Sequence, residues 1–284
     1  MPEGDTVWRQ AQQIGATLTG SVLTGSDIRV PAFATVDLRG FRVESSTSRG
    51  KHLLLALRAP DGSPDDSTDD SGKDTALVIH SHLKMEGSWQ LYRPGERWRR
   101  PAHTARVILK SAQAVAVGFS LGILELLSPE EARRALAFLG PDLLGPDWDA
   151  AEALRRLCSD PARALGSALL DQRNLAGIGN IYRNELCFLA RVHPETPIAL
   201  VPDLPRVIDQ AHRLLEANKS RIHRNTTGGG RAGSWVYGRH REPCLRCGHL
   251  IQSGEWEGRV IYFCPSCQPA LDLLGRKSRE TPAR

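Results

Sequence analysis

The sequence predicts an α+β fold: an N-terminal helix leads into a β-rich domain, a mostly helical domain follows, and a metal-held hairpin ends the ordered part. Three observations carry this reading. Val7, Ala11, Ile14 and Leu18 recur at helical spacing. Short apolar runs bounded by breakers fill the region from His52 to Val117. Near the C-terminus, Cys244, Cys247, Cys264 and Cys267 form a C-x2-C-x16-C-x2-C array.

The elements follow in order. Helical spacing from Val7 to Leu18 gives one buried helix face, and strands are expected at His52 to Leu57, Ala76 to Ile79, Gly87 to Tyr92, Arg106 to Leu109 and Ala114 to Val117. Residues 1–125 therefore read as one helix and a sandwich of two sheets. Within them, residues 59–76 are rich in Asp and nearly devoid of apolar side chains, so they can bury nothing and read as a mobile loop. At Ser128 the pattern changes. Ser128, Pro129, Glu130 and Glu131 cap a helix, and helical character continues through Ala150 to Leu157, Pro161 to Leu170, Ile181 to Leu189 and Leu204 to Glu216. This gives a helical domain over 128–222, a cysteine module over 235–268 and a tail over 269–284. Cys158 and Cys187 fall in apolar helical stretches and are expected in the core.

Composition bounds the partner. The 284 residues are 40% hydrophobic, contain no run of 18 apolar residues, and start with Glu3 and Asp5 in place of a basic region followed by an apolar one. A membrane span or signal peptide is not expected, and the location is expected to be cytoplasmic. The net charge of +5 hides an asymmetry: Asp61 to Asp74 holds six Asp and one Lys, leaving 36 basic and 26 acidic residues elsewhere. From Lys219 onward, 12 Lys or Arg stand against 5 acids. A surface of this kind suits a polyanion, with nucleic acid the leading partner and an ordinary solvated surface the alternative.

Several residues carry chemistry. If Met1 is removed, Pro2 presents a secondary amine, which attacks an aldehyde to give an iminium ion that serves as an electron sink. Glu3 stands beside it as an acid or base. The alternative is a proline that merely begins a helix. The cysteine spacing matches a four-thiolate Zn2+ site closed by two knuckles, with no open position for catalysis, and a cytoplasmic location disfavours paired disulfides. Between the knuckles, Glu255 to Phe263 reads as a hairpin turning at Glu257 and Gly258, so that Arg259 projects from a rigid tip. In the segment from Leu169 to Tyr182, a helix ends, glycines follow, and a new helix starts near Asn180. Such a connection brings backbone N–H groups toward an anion, for which a nucleic-acid phosphate suits better than a dinucleotide.

Together these pieces resemble the formamidopyrimidine-DNA glycosylase and endonuclease VIII family of base-excision repair enzymes. The resemblance runs from Pro2 to Cys267 through five motifs in order: the Pro2 to Val7 opening, Arg49 to Leu53, His80 to Gly87, Asp171 to Glu185, and Val236 to Arg239 leading into the cysteine array. It implies a β-sandwich domain, a helix-two-turn-helix domain and a zinc finger around a DNA-binding cleft. It also implies roles: Pro2 as Schiff-base nucleophile, Glu3 as its acid/base partner, Lys51 as a phosphate-contacting and proton-transferring residue, Asn180 as a phosphate ligand and Arg259 as the finger residue of the later elimination. Lys84, Met85 and Glu86 would fill the gap left by an extruded base, for which an unbranched Met is well suited. The expected partner is duplex DNA with damaged bases or abasic sites, bound by a monomer.

Two departures favour the bacterial endonuclease VIII branch and oxidised pyrimidines such as thymine glycol. Phe119-Ser120-Leu121-Gly122 stands where guanine-directed enzymes carry Arg-Arg-Phe-Gly, and only Thr226 to Ser234 separates the helical domain from the finger approach, too short for their base-capping loop. The endonuclease VIII pattern also differs here: Lys84-Met85-Glu86 replaces Gln-Leu-Tyr, and Phe138 replaces an Arg. An oxidised-purine glycosylase of the same fold and a non-catalytic lesion-binding protein are the alternatives.

Overall fold

The computed structural model describes residues 2–60, 76–229 and 233–270. Most of the acidic 59–76 segment and of the tail from 269 lies outside the described residues. The chain divides into two compact units, up to Phe138 and from Leu139.

In the first unit, α1 (Gly4–Leu18) precedes two four-stranded antiparallel sheets. One has the order β1-β6-β7-β5, formed by Leu23–Ile28, Ala105–Ser111, Val115–Phe119 and Ser88–Tyr92. The other has the order β2-β3-β4-β8, formed by Arg42–Arg49, His52–Arg58, Ala76–His82 and Ile123–Leu127. Val7, Ala11, Ile14 and Leu18 join Leu53, Leu55 and Leu57 of one sheet and Val107, Leu109 and Ala116 of the other in a single buried cluster, as a sandwich requires. Alternation along β3 then sends His52, Leu54 and Ala56 to the opposite face. The hydroxyl of Ser81 is fully buried and accepts a bond from Trp89 Nε1 at 3.0 Å, so the one polar side chain of β4 on the core face is satisfied.

Three strands lack a sequence signal. β1 carries Gly25 at an irregularity in its pairing with β6, β2 reads Arg-Val-Glu-Ser-Ser-Thr-Ser-Arg, and β8 sits between a glycine turn and a helix cap. Their pairing partners, rather than their own pattern, make them strands. Helix α2 (Pro129–Leu136) has the expected capping box, with the Ser128 hydroxyl accepting from Glu131 N and the Glu131 carboxylate from Ser128 N. It packs on β4 and β8, so it belongs with the sheets and not, as the change of pattern at Ser128 suggested, with the helices that follow.

The second unit contains α3 (Ala150–Leu157), α4 (Leu165–Leu170), α5 (Asn180–Ala190), α6 (Leu204–Asn218) and a hairpin of β9 (Gln252–Trp256) and β10 (Arg259–Phe263). Residues 161–164 are turns and a bridge to Pro197, so α4 starts four residues later than its apolar spacing predicted. Cys187 is in the core, whereas Cys158 is exposed at the C-cap of α3, where the chain leaves the buried stripe. Among the described residues, no helix is long and apolar enough to cross a membrane.

Candidate active site and DNA interface

Pro2 is half-buried immediately before α1, and Glu3 is the N-cap residue of that helix, its side chain completely buried. The Glu3 carbonyl accepts from Thr6 N and Val7 N, so the first turn fixes the backbone that carries both groups. The helix is in turn anchored by the buried Val7 to Leu18 face. A proline and a carboxylate adjacent in sequence are therefore held on a rigid element.

Lys51 lies in the two-residue connection between β2 and β3, where Gly50 takes φ 56°, as a hairpin turn with glycine at its first central position requires. The pairing of Arg49 with His52, and of His52 with His82, lines these residues up across the sheet end. The sequence reading did not single out the histidines of this face. His52 Nδ1 lies 2.8 Å from His80 Nε2, and His80 Nδ1 lies 2.8 Å from a Glu125 carboxylate oxygen. The His52 ring stacks on His80 and meets His82 edge-on. A carboxylate only accepts, so His80 donates to Glu125 through Nδ1. Burial, with the neighbouring His82, His80, Lys84 and Lys51, lowers the His52 pKa to about 3, and burial with Lys84, Lys51 and His80 lowers that of His82 to about 4.

These depressions make stability pH-dependent in a defined sense. The unfolded chain protonates its histidines near pH 6.5, while the folded protein leaves His52 and His82 neutral down to about 3 and 4. Between these values the unfolded state binds more protons, so stability falls as pH falls and is unaffected above about pH 7.5. His52 contributes a slope of at most about 1.4 kcal/mol per pH unit. Thermal melts should lose Tm from pH 7 to pH 5, and His52→Gln should flatten that loss. An unchanged slope would mean that this histidine is as basic folded as unfolded.

Lys84, Met85 and Glu86 occupy a tight loop from Leu83 to Gly87, closed by Gly87 N donating to Leu83 O at 2.8 Å. A Cβ on Gly87 would stand 2.3 Å from that oxygen, so the loop requires glycine there. Met85 is 63% exposed, an unusual position for a long apolar side chain, whereas the Lys84 side chain lies over Gly122. Arg100, which the sequence did not flag, braces this loop. It donates to Glu86 O at 2.9 Å and to the Ser88 and Ser120 hydroxyls, and its guanidinium sits over the Phe119 ring.

In the second unit, Gln172 shapes the connection from α4 to α5. Its amide donates to Leu170 O and Ile178 O and accepts from Gly177 N at 3.0 Å, and Gly177 takes φ 115°. Asn180 then opens α5 but is 93% buried: its amide nitrogen donates to Val260 O of β10 at 2.9 Å. The asparagine expected to hold a phosphate thus also holds the hairpin. Arg259 is exposed at the first position of β10, after a turn in which Glu257 and Gly258 have φ 48° and 69°. Two consecutive positive φ values are the geometry of a tight two-residue hairpin.

The four cysteines converge at the base of this hairpin, with all sulfurs within 4.8 Å of one another. Cys244 and Cys267 are 4.0 Å apart and Cys247 and Cys264 3.4 Å apart, close to the edge of about 3.8 Å that a tetrahedron of sulfurs 2.3 Å from a Zn2+ would have. The donor set fits a closed tetrahedral metal.

A proline-led helix on a β-sandwich, a separate helical unit with a glycine connection before α5, and a four-cysteine hairpin bearing an exposed arginine define a class of DNA-repair fold. The descriptions of two family models match it: the formamidopyrimidine-DNA glycosylase N-terminal domain over residues 1–120 and the formamidopyrimidine-DNA glycosylase H2TH domain over 139–224. The chain is 49% identical over 275 residues to "Probable endonuclease 8 2" of Streptomyces coelicolor, covering 94% of each chain. It is 47% identical to "DNA-(apurinic or apyrimidinic site) lyase Nei2" of Mycolicibacterium smegmatis, covering 95% of this chain and 100% of that one. Among solved structures, a Lactococcus lactis Fpg complex with abasic-site DNA aligns over 95% of this chain and 100% of that one, with TM-score 0.77 and 23% identity, a likeness of fold. The chain belongs to the formamidopyrimidine-DNA glycosylase family; its identity to these two relatives, 49% and 47%, exceeds the 34% found with the formamidopyrimidine-DNA glycosylase of Heliobacterium modesticaldum.

Proposed function

We propose that the protein is a base-excision-repair DNA glycosylase with abasic-site lyase activity, acting on duplex DNA through a Schiff base on Pro2, with oxidised pyrimidines as its substrates. The observation that carries the reading is the Pro2–Glu3 pair: a proline, a secondary amine once Met1 is removed, beside a completely buried carboxylate at the start of an anchored helix. Pro2 displaces the base at C1′ and forms an iminium with the opened sugar. Loss of the C2′ proton then breaks the C3′–O bond, and a second elimination breaks the C5′–O bond. Lys51 and Arg259 supply positive charge to phosphates as these bonds break, and Asn180 contacts the same backbone. Met85, with Lys84 and Glu86, enters the gap left by the extruded base.

The site residues sit in three parts: the sandwich with α1, the helices from 139 to about 222, and the cysteine module over 235–268. The metal held by Cys244, Cys247, Cys264 and Cys267 is read as Zn2+. When bound it supplies a rigid base for the hairpin and no chemistry at the sugar, because four thiolates fill its coordination. Pyrimidine preference is supported by Phe119 to Gly122 in place of the arginine pair of guanine-directed enzymes, and by the higher identity to relatives named endonuclease 8. The test is incubation with duplexes carrying thymine glycol, oxidised guanine or an abasic site in the presence of cyanoborohydride. Covalent adducts should form fastest on thymine glycol among the damaged bases. Faster trapping on oxidised guanine would reassign the substrate, and binding with no adduct on any duplex would leave a lesion-binding protein.

A further inference from the structure

The hairpin that carries Arg259 has almost no core, with only Ile261 of its two strands buried. The cysteines fix its base, but Arg259 sits at the other end, beside the Glu257–Gly258 turn. That end is held by helices. Trp256, the register partner of Arg259, donates its indole N–H to the Ser167 hydroxyl of α4 at 3.0 Å. On the Arg259 strand, Val260 O receives two donors from α5, Asn180 Nδ2 at 2.9 Å and an Arg183 guanidinium nitrogen at 3.0 Å. Two residues further, Tyr262 N donates to Asn184 Oδ1 at 2.7 Å, and Asn184 is itself held by donating to Asn180 O at 2.6 Å.

Arg183 and Asn184 are completely buried. A guanidinium and an amide in such a place are costly unless their polar atoms are used, and here one guanidinium nitrogen of Arg183 and the amide oxygen of Asn184 are both engaged by the backbone of β10. The Val260 carbonyl is one residue from the Arg259 Cα, so fixing it fixes where that Cα stands and how its side chain leaves the strand. An arginine on a flexible tip would reach a phosphate only at the expense of its own ordering; one on a pinned tip is already placed.

We infer that Arg183 and Asn184 are positioning residues for Arg259, holding the hairpin tip at the N-terminal end of α5 so that Arg259 meets the phosphate leaving in the second elimination. The inference rests on the proposed role of Arg259. In that step the C4′ proton leaves, the C5′–O bond breaks, and its electron pair goes to the phosphate oxygen, so the strand ends in a 3′ phosphate instead of an unsaturated aldehyde. No oxidant or reductant is involved.

The test uses the full-length protein on duplexes with a preformed abasic site and measures the ratio of aldehyde to phosphate 3′ ends, with metal content and melting temperature followed for each variant. Arg183→Met and Asn184→Leu should each raise that ratio about ten-fold while the first strand cleavage keeps its rate, because misplacing a group by a fraction of an ångström costs that order of rate. Asn184→Asp keeps the acceptor for Tyr262 N but loses the donor to Asn180 O, so its ratio should fall between those of the parent and Asn184→Leu. Arg259→Ala is the reference. If it shifts the ends and neither α5 variant does, the positioning inference is overturned while the role of Arg259 stands; if Arg259→Ala leaves the ends unchanged, both fall. Should Arg183→Met fail to fold, Asn184→Leu with its partial rescue in Asn184→Asp decides alone.

Discussion

Pro2→Thr is expected to yield no borohydride-trapped adduct on any duplex while keeping its fold and metal. Threonine, like proline, follows a removable Met1, so the variant still exposes an amine at residue 2. The difference is chemical. A secondary amine forms an iminium that has no N–H to lose and stays cationic at every pH, whereas a primary amine forms an imine that must be protonated before it withdraws electrons. Glu3→Gln separates the steps. Base release should fall by about 10² to 10⁴-fold, the range of a lost acid/base catalyst, while cleavage of ready-made abasic sites continues because the aldehyde is already present. An adduct of undiminished yield in Pro2→Thr, mapped by mass to a lysine, would move the nucleophile to a side chain.

Glu185→Gln should be the most destabilising single change in the second unit. This carboxylate, completely buried on α5, accepts from Trp235 N at 2.7 Å, Val236 N at 3.0 Å and Tyr237 N at 2.9 Å, and from the Thr226 hydroxyl. Four donors converge on two oxygens, so an amide nitrogen at either position faces a donor it cannot satisfy. Charge-assisted bonds contribute about 1.5–3 kcal/mol each, and losing two predicts a cost of about 3–6 kcal/mol. For a chain of this size that is a fall in Tm of roughly 10 °C. The segment released leads directly into Cys244, so proteolysis between Thr226 and Pro243 should accelerate before global unfolding. A variant within 1 °C of the parent would show that the backbone finds other acceptors.

Much of this architecture was legible in the chain. The α1 face, the strands from β3 to β7 and the helices α3, α5 and α6 announce themselves through apolar period, because each buries one side against a core. The cysteine array needed only spacing, since a tetrahedral metal accepts few ligand geometries. The hairpin turn at Glu257 and Gly258 was placed correctly because the glycine of a two-residue turn is a local requirement. β1, β2 and β8 were not legible, for their residues become strands only when a neighbour supplies the other half of the ladder. Cys158 misled for the opposite reason: an apolar neighbourhood in sequence says little about which side of a helix end a residue occupies.

What the sequence by itself determined is chemistry that depends on residue type and nearest neighbours: a proline next to a carboxylate behind Met1, four thiols at knuckle spacing, an arginine after a tight turn, and a family likeness across ordered motifs. What only the tertiary structure decided is how distant polar groups are satisfied. The Glu125–His80–His52 chain, Arg100 bracing the Met85 loop, Glu185 gathering three consecutive amides, and Asn180, Arg183 and Asn184 holding the Arg259 hairpin all join residues at least 12 positions apart. No local pattern encodes such pairs. A buried polar group must find its partner in space, and the partner becomes apparent only after the apolar faces have fixed the elements that bring the two together.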